Sequence, residues 1–552
     1  MNHIKSLELP KTIVACHDCI QELSAELTAA RVLIEELQGQ NRALQEKVRD
    51  LMHRLFGKKS ERQVTPPIAE EREEEPAAAE DAPVVVDQDP QTLPPTPTTE
   101  SSRRARGQQP GAPGHGRRRR PERPERIEYH DAPEEQKRCA ECGEWYVAAG
   151  TDDSEQIDWQ VRVQRVVTRR QRYRKVCSCE TSQPSSITAP PPPNVIPKGL
   201  FTVSFVVNVV LMKFLWGLPL HRLVRILAYQ GCQVSSGTLV GVLHRVQDLL
   251  EPLYHAIRDR NRQEEQWHVD ESRWKVFVEK VGKTGYNWWL WVFSGQMTTL
   301  FILDPSRSAR VPRDHLPVDH EPTSEKGRRT LISDFYVVYR LLGGAIRNAW
   351  CWAHIRRKFL EAARSVPDLG PWSTTWVSRI ATLYQRYHRR KAASPDSDTW
   401  HQADQALRAW VAELKTDWQD ELKDPALAPR AAQVLRTVQR QWEGLTLFLD
   451  DLRIPLDNNE AERLLRTPVV GRKNYYGSRA QWSGELAAMC WTVWATTAQH
   501  GLNPQAFFTA YFTACAENGG QPLEGTALER FLPWTLSDTD RAAWAAPGMA
   551  TV

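Results

Sequence analysis

The chain has 552 residues, 41% of them hydrophobic and 25% charged, with 72 Lys and Arg against 68 Asp and Glu for a net charge of +4. That length calls for several domains, with apolar residues enough for real cores. Ten cysteines, six in three close pairs and four scattered, do not make the dense, evenly spread pattern of a secreted disulfide scaffold. Residues 1–10 lack a signal-peptide layout. The most apolar run, residues 199–218, is interrupted by Asn208 and Lys213 and closed by Pro219. It reads as a buried helix rather than a membrane span.

Residues 1–62 carry a heptad pattern. Ile13, Ile20, Leu27, Ile34, Asn41, Val48 and Leu55 interleave as a sites with Cys16, Leu23, Ala30, Leu37, Leu44 and Leu51 as d sites. Such a seam predicts a coiled coil that pairs two copies of the chain, with Asn41 fixing register. Cys16 falls within the seam, so Cys16 and Cys19 are expected to pack rather than bind metal. Residues 63–125 then change composition: a Pro-, Ala- and Glu-rich linker gives way to an Arg-rich arm that includes Arg117, Arg118, Arg119 and Arg120. The linker cannot bury enough to fold, and the arm suits phosphate contact.

Residues 126–195 contain Cys139-x2-Cys142 and Cys177-x-Cys179. Two separated thiolate pairs suit a structural Zn²⁺ ion that staples a small β module, although the second pair is one residue short of the usual spacing. Between the pairs, Arg162, Arg165, Arg169, Arg170, Arg172 and Arg174 alternate with Val161, Val163, Val166 and Tyr173, which reads as a basic β-hairpin. Residues 196–262 are helical. A helix over 220–229, a turn at Gly231, an N-cap at Ser235 or Ser236 and a helix from Leu239 resemble a helix-turn-helix, a pattern many helical hairpins share.

From Trp267 the pattern changes to strands: residues 267–278, 287–293 and 299–303, with turns between them, then 329–333 and 346–350 separated by a helix over 335–342. Three antiparallel strands followed by strand–helix–strand imply a mixed sheet. Asp270 lies in the first strand and Asp334 at the end of the fourth. Glu462 follows Asp457-Asn458-Asn459-Glu460-Ala461, a helix start with Asp457 or Asn458 as cap. Glu460, two residues away, competes for the same role, but on a helix the two face differently. Three clustered acids could hold two Mg²⁺ or Mn²⁺ ions about 3.5–4 Å apart, the arrangement that serves the attacking and leaving oxygens of a phosphodiester cleavage. Residues 351–455 read as a helical insertion. Cys351 and His354 could be half a metal site, but no partner pair follows, so packing and hydrogen bonding are expected of them. Arg356, Arg357, Arg463, Arg472 and Lys473 are phosphate-contact candidates. Gly282-Lys283-Thr284-Gly285 lacks the upstream glycine of a P-loop, so no ATP dependence is expected.

Several segments together resemble transposases of the insertion sequence 66 family. They are Leu55-Phe56-Gly57-Lys58-Lys59-Ser60-Glu61, the cysteine module, Val269-Asp270-Glu271-Ser272, and Leu331-Ile332-Ser333-Asp334-Phe335-Tyr336. Further on come Cys351-Trp352-Ala353-His354-Ile355-Arg356-Arg357-Lys358-Phe359, Leu456-Asp457-Asn458-Asn459-Glu460-Ala461-Glu462-Arg463, and Gly471-Arg472-Lys473-Asn474 with Gly477-Ser478. The resemblance implies an Asp-Asp-Glu triad on a ribonuclease H-like fold, placed at Asp270, Asp334 and Glu462. Ser272 stands where the family usually has Thr. It also favours Glu462 over Glu460, because the family motif sets its Glu beside Arg.

The expected architecture is multidomain α+β. A ribonuclease H-like mixed-sheet domain (263–350 and 456–500) is interrupted by the helical insertion, preceded by the coiled coil, zinc module and helix-turn-helix-like region, and followed by a helical tail over 501–552. The expected function is DNA transposition: binding of terminal inverted repeats and target DNA, then metal-dependent cleavage and strand transfer. The expected cofactors are two Mg²⁺ or Mn²⁺ ions and structural Zn²⁺. The expected partners are DNA, a second copy of the chain and accessory proteins of the same element, in a cytoplasmic, nucleoid-associated setting. A catalytically silent DNA-binding regulator and a structure-specific nuclease are the competing readings, and metal-dependent strand transfer separates them from the first.

Overall fold

The computed structural model describes residues 131, 137, 141–145, 162–174, 176, 186–279, 285–318, 328–343 and 346–546. The coiled coil, the linker, Arg117 to Arg120, and Cys139, Cys177 and Cys179 lie outside these residues. The chain divides into two compact units, residues 57–149 and the remainder. In the first, Lys137 pairs with Asp131 at 2.6 Å and Cys142 is exposed.

The second unit begins with a small antiparallel sheet, β1 (Arg172–Arg174) on β2 (Ser186–Thr188), with Tyr173 opposite Ile187. The expected hairpin is therefore not folded within the basic stretch. Its strand pairs instead with residues 186–188, and Arg170 and Arg172 donate to the Ala189 carbonyl and the Ser186 hydroxyl. Residues 162–171 carry no regular structure and are mostly exposed; Val163 alone of them is half-buried, against apolar neighbours.

Helix α1 (Val203–Val210) continues into a π-helical turn at Leu211–Leu215. The run ends at Gly217, which has φ +65°. No helix among the described residues is long and apolar enough to cross a membrane. Helices α2 (Leu220–Tyr229) and α3 (Ser236–Asn261) follow one another at the expected positions, and the Ser235 hydroxyl caps α3 by accepting from Thr238 N–H at 3.0 Å. The first turn of α3 is exposed, whereas Leu243, Val246, Leu250, Leu253 and Ile257 are buried.

The main sheet has five strands in the order β5-β4-β3-β6-β7: β3 (Gln266–Lys275), β4 (Asn287–Ser294), β5 (Thr299–Asp304), β6 (Arg329–Ser333) and β7 (Ile346–Trp350). The first three are antiparallel, while β6 and β7 run parallel to β3. Short helices α4 (Arg310–His315) and α5 (Val337–Arg340) lie in the connections. Successive strand side chains alternate between two cores. Trp274, Leu290 and Val292 face one core, and Trp267, Val269, Trp291 and Phe293 face the other.

The second core is roofed by four helices: α6 (Trp352–Ser365), α7 (Gly370–Ala392), α8 (Asp398–Lys423) and α9 (Pro429–Thr446). They make up the helical segment between the second and third acids. The first core gathers α1 to α3 with α10 (Asn459–Tyr475), α11 (Gln481–Gln499) and α12 (Pro504–Glu517). It reaches past two short helices, α13 (Gly525–Glu529) and α14 (Asp538–Ala543), to Phe531 and Trp544. The sheet thus shares one core with segments before and after it.

A turn after α10 sews that helix to β3. Ser478 N–H donates to the Lys275 carbonyl at 2.8 Å, Phe277 N–H donates back to the Ser478 carbonyl at 2.9 Å, and Trp274 Nε1 donates to the Ser478 hydroxyl at 3.0 Å. Tyr476 is left-handed at φ +64° and Gly477 has φ +146°, where a Cβ would overlap the Lys275 carbonyl oxygen. Gly477→Ala is therefore expected to lower unfolding stability by about 3 kcal/mol, measured by urea denaturation. A loss below about 0.5 kcal/mol would mean that the turn carries no such constraint.

Candidate active site

β3 pairs with β6 only as far as His268 opposite Ile332. Asp270 therefore sits just past the end of β6, where Asp334 leaves the sheet as the residue after Ser333. The Asp334 carboxylate folds back to accept the Tyr336 N–H at 2.8 Å, which fixes the turn into α5. Glu460 and Glu462 lie in the first turn of α10, where the helix dipole favours negative charge.

Asp270 is the electrostatic centre. Burial pushes its carboxyl well above the usual range, and the negative charges of Glu271, Asp334 and Glu462 push it further. The N–H of Glu271, which donates to Asp270 at 2.8 Å, pulls the other way. Asp334 and Glu462 thus both lie within electrostatic reach of Asp270. The two glutamates of α10 part company: the Glu462 carboxylate lies 3.7 Å from His354 Nε2, whereas Glu460 accepts the Ser294 hydroxyl at 2.6 Å and lies 3.6 Å from His268 Nε2. Of the two, Glu462 is among the charges that raise the Asp270 carboxyl.

Asn458 holds this arrangement together. It is fully buried, its side-chain amide donates to the Val269 carbonyl at 2.8 Å, and its Oδ1 is 3.1 Å from His268 Nδ1. Its backbone N–H donates to Cys351 Sγ at 3.2 Å. The sequence marked Asn458 as a candidate cap, but its side chain caps nothing. It is spent on β3, one residue from Asp270, while Asp457 accepts the Asn459 N–H at 3.2 Å. Cys351 is buried and hydrogen-bonded as expected, with burial pushing its thiol up to about 12. His354, one turn into α6, stands against Phe335 and Glu462. Burial lowers its pKa and Glu462 opposes the shift. Its approach to Glu462 was missed because nothing in one sequence says which face of α6 meets α10.

Arg356, Arg463 and Lys473 are exposed, and Arg357 is half-buried. Arg169 and Arg170 are exposed beside β1. Arg472 is turned inward: it donates to the Ser272 hydroxyl at 3.2 Å and to the Arg273 carbonyl, bracing α10 on β3. Among the described residues no three His, Cys, Asp or Glu side chains are gathered closely enough to hold a metal ion as they stand. The donor set here is three half-buried carboxylates, Asp270, Asp334 and Glu462. It suits hard divalent ions that take one or two carboxylates each and complete their shells with water and phosphate oxygens.

Residues 198–486, just over half of the chain, match the family model described as "Transposase IS66 family". The chain belongs to the IS66 transposase family. The matched segment runs from before α1 into α11 and so contains all three acids and the helices roofing the second core. The chain is also similar to three uncharacterized proteins of Sinorhizobium fredii (strain NBRC 101917 / NGR234). The protein y4jD is 27% identical over 418 residues, 72% of this chain and 78% of its own. The protein y4qI is 25% identical over 446 residues, 78% and 80% of the two chains, and y4hP is 25% identical over 389 residues, 65% and 67%. Membership of the IS66 family carries with it DNA binding, DNA cleavage and a general dependence on divalent metal.

Proposed function

We propose that this chain binds the terminal repeats of an insertion sequence and performs metal-dependent strand cleavage and strand transfer with Asp270, Asp334 and Glu462 as catalytic acids on a ribonuclease H-like sheet. The observation that carries the reading is the electrostatic convergence of these three acids, drawn from β3, the end of β6 and the start of α10, in an IS66-family chain. Two Mg²⁺ or Mn²⁺ ions held by these carboxylates would supply activation of the attacking oxygen and stabilisation of the leaving one. Water attack breaks one phosphodiester and frees a 3′-hydroxyl. Attack of that hydroxyl on target DNA then makes one bond for each it breaks, so no nucleotide hydrolysis is needed. Arg169, Arg170, Arg356, Arg357, Arg463 and Lys473 are proposed phosphate contacts, together with Arg117 to Arg120. A coiled-coil dimer, a zinc module on Cys139, Cys142, Cys177 and Cys179, and accessory proteins complete the reading.

The experiment is cleavage and joining of DNA carrying the element's ends, with Mg²⁺ or Mn²⁺, by Glu462→Gln and Glu460→Gln proteins. Glu462→Gln is expected to slow cleavage by about 10²–10³-fold with end binding kept. Glu460→Gln is expected to cut within about threefold of wild type and to lose ~1 kcal/mol of stability through its bond to Ser294. The opposite pattern would move the third acid to Glu460. Specific end binding with no chemistry by any of the proteins would favour a DNA-binding regulator.

A further inference from the structure

Arg307 stands beside the acids in the turn after β5. Its Nε and Nη2 lie 2.8 and 2.6 Å from one oxygen of Glu271, whose other oxygen accepts the Tyr339 hydroxyl. Glu271 is walled in, with its side chain 1% exposed. The guanidinium lies 3.9 Å from the centre of the Tyr336 ring and 4.6 Å from that of Trp289. Tyr336 closes the unit: its hydroxyl donates to the Arg307 carbonyl at 2.9 Å, and its N–H is the one held by Asp334.

A guanidinium clamped by a carboxylate and two rings would ordinarily be finished with its work. Yet the Arg307 side chain is 38% exposed, and its Nη1 makes no hydrogen bond among the described residues. Arg273, directly opposite Trp289 across the β3–β4 ladder, is exposed, lies 5.7 Å from the same ring, and makes no ion pair among the described residues. Arginines on aromatic rings in a row are what a nucleic-acid strand needs, with phosphates on the guanidinium edges. Without metal, Asp270, Asp334 and Glu462 would repel a phosphate, and a cation beside them offsets that repulsion.

We infer that Arg307, preset by Glu271, Trp289 and Tyr336, binds a backbone phosphate adjoining the scissile one, with Arg273 as the next contact along the strand. The inference rests on the reading that the three acids act on DNA.

The test uses the full-length protein and duplexes carrying the element end, with single methylphosphonates stepped through the nucleotides flanking the cleavage site. Binding is measured in EDTA, so it does not depend on chemistry. Arg307→Ala is compared with Glu271→Gln/Arg307→Gln, which removes the ion pair as a unit and leaves no bare buried carboxylate. One methylphosphonate is expected to weaken wild-type binding by about tenfold and to cause no further loss in either variant. The salt slope of log affinity is expected to fall by about 0.9 in the double variant. A structural role alone would leave the methylphosphonate profile and the salt slope of the folded variants equal to wild type, and that result overturns the inference. Wild type that binds the ends but never cuts them would sink the functional reading and leave this one readable. Wild type that binds no DNA would sink both.

Discussion

Asp270→Asn is expected to abolish strand cleavage, by on the order of 10³-fold, and at the same time to stabilise the metal-free protein at neutral pH. Both effects have one cause. The folded protein holds the Asp270 carboxyl well above its ordinary range, through burial and through Glu271, Asp334 and Glu462. In the unfolded chain the group titrates near its usual value of about 3.9. Below that pH both states are protonated and the site costs nothing. As the pH rises past it, the unfolded chain releases the proton first, so stability is lost until the pH passes the raised folded value. Asparagine carries no such penalty, and its Oδ1 can still accept the Glu271 N–H that Asp270 accepts at 2.8 Å.

Urea unfolding of both proteins in EDTA, at pH 5 and pH 7.5, measures the difference. The variant should be the more stable at pH 7.5, with a smaller gap at pH 5. Saturating Mn²⁺ should then reverse the order, because ion binding at a hundred times its Kd adds about 2.7 kcal/mol to the wild type and little to a protein missing one acid. A variant less stable than wild type at pH 7.5 without metal would mean that the three acids do not strain the fold.

The strands were legible because Trp, Val and Phe alternate between two faces, and β4 in particular sends Leu290 and Val292 one way and Trp291 and Phe293 the other. The position of Asp270 beside Asp334 was expected from a ribonuclease H-type sheet, and β3 does pair in parallel with β6. The helix start at Asn459 was legible from its acidic first turn. Contacts between distant segments were not. His354 meets Glu462 and Arg307 meets Glu271 only because α6, the β5 turn and α10 close on the same sheet end, and local periodicity carries no record of that. The hairpin expected within residues 161–174 went astray for a related reason: an alternating pattern predicts a strand but does not choose its partner.

Asn458→Ala is expected to be the costliest single change near the site that leaves every proposed catalytic acid in place. Alanine keeps the backbone N–H to Cys351 Sγ but strands the Val269 carbonyl and the His268 ring, both buried. Each orphaned group costs about 1–3 kcal/mol, so a loss of about 3–4 kcal/mol is expected in urea unfolding. The functional effect follows from geometry. Asn458 fixes the first turn of α10 against β3, so releasing it frees Glu462 to drift from Asp270, and a shift of about 1 Å is enough to cost 10²-fold in rate. Single-turnover cleavage with saturating DNA, well below the variant's unfolding midpoint, should therefore slow by about that factor, while end-binding affinity stays within about threefold of wild type. The Trp352 N–H to Leu456 carbonyl bond, 2.8 Å, is untouched by the substitution and keeps the preceding loop attached to α6. Folded Asn458→Ala protein that cleaves at the wild-type rate would show that the α6 contact alone positions Glu462, and that the amide bridge to β3 serves stability only.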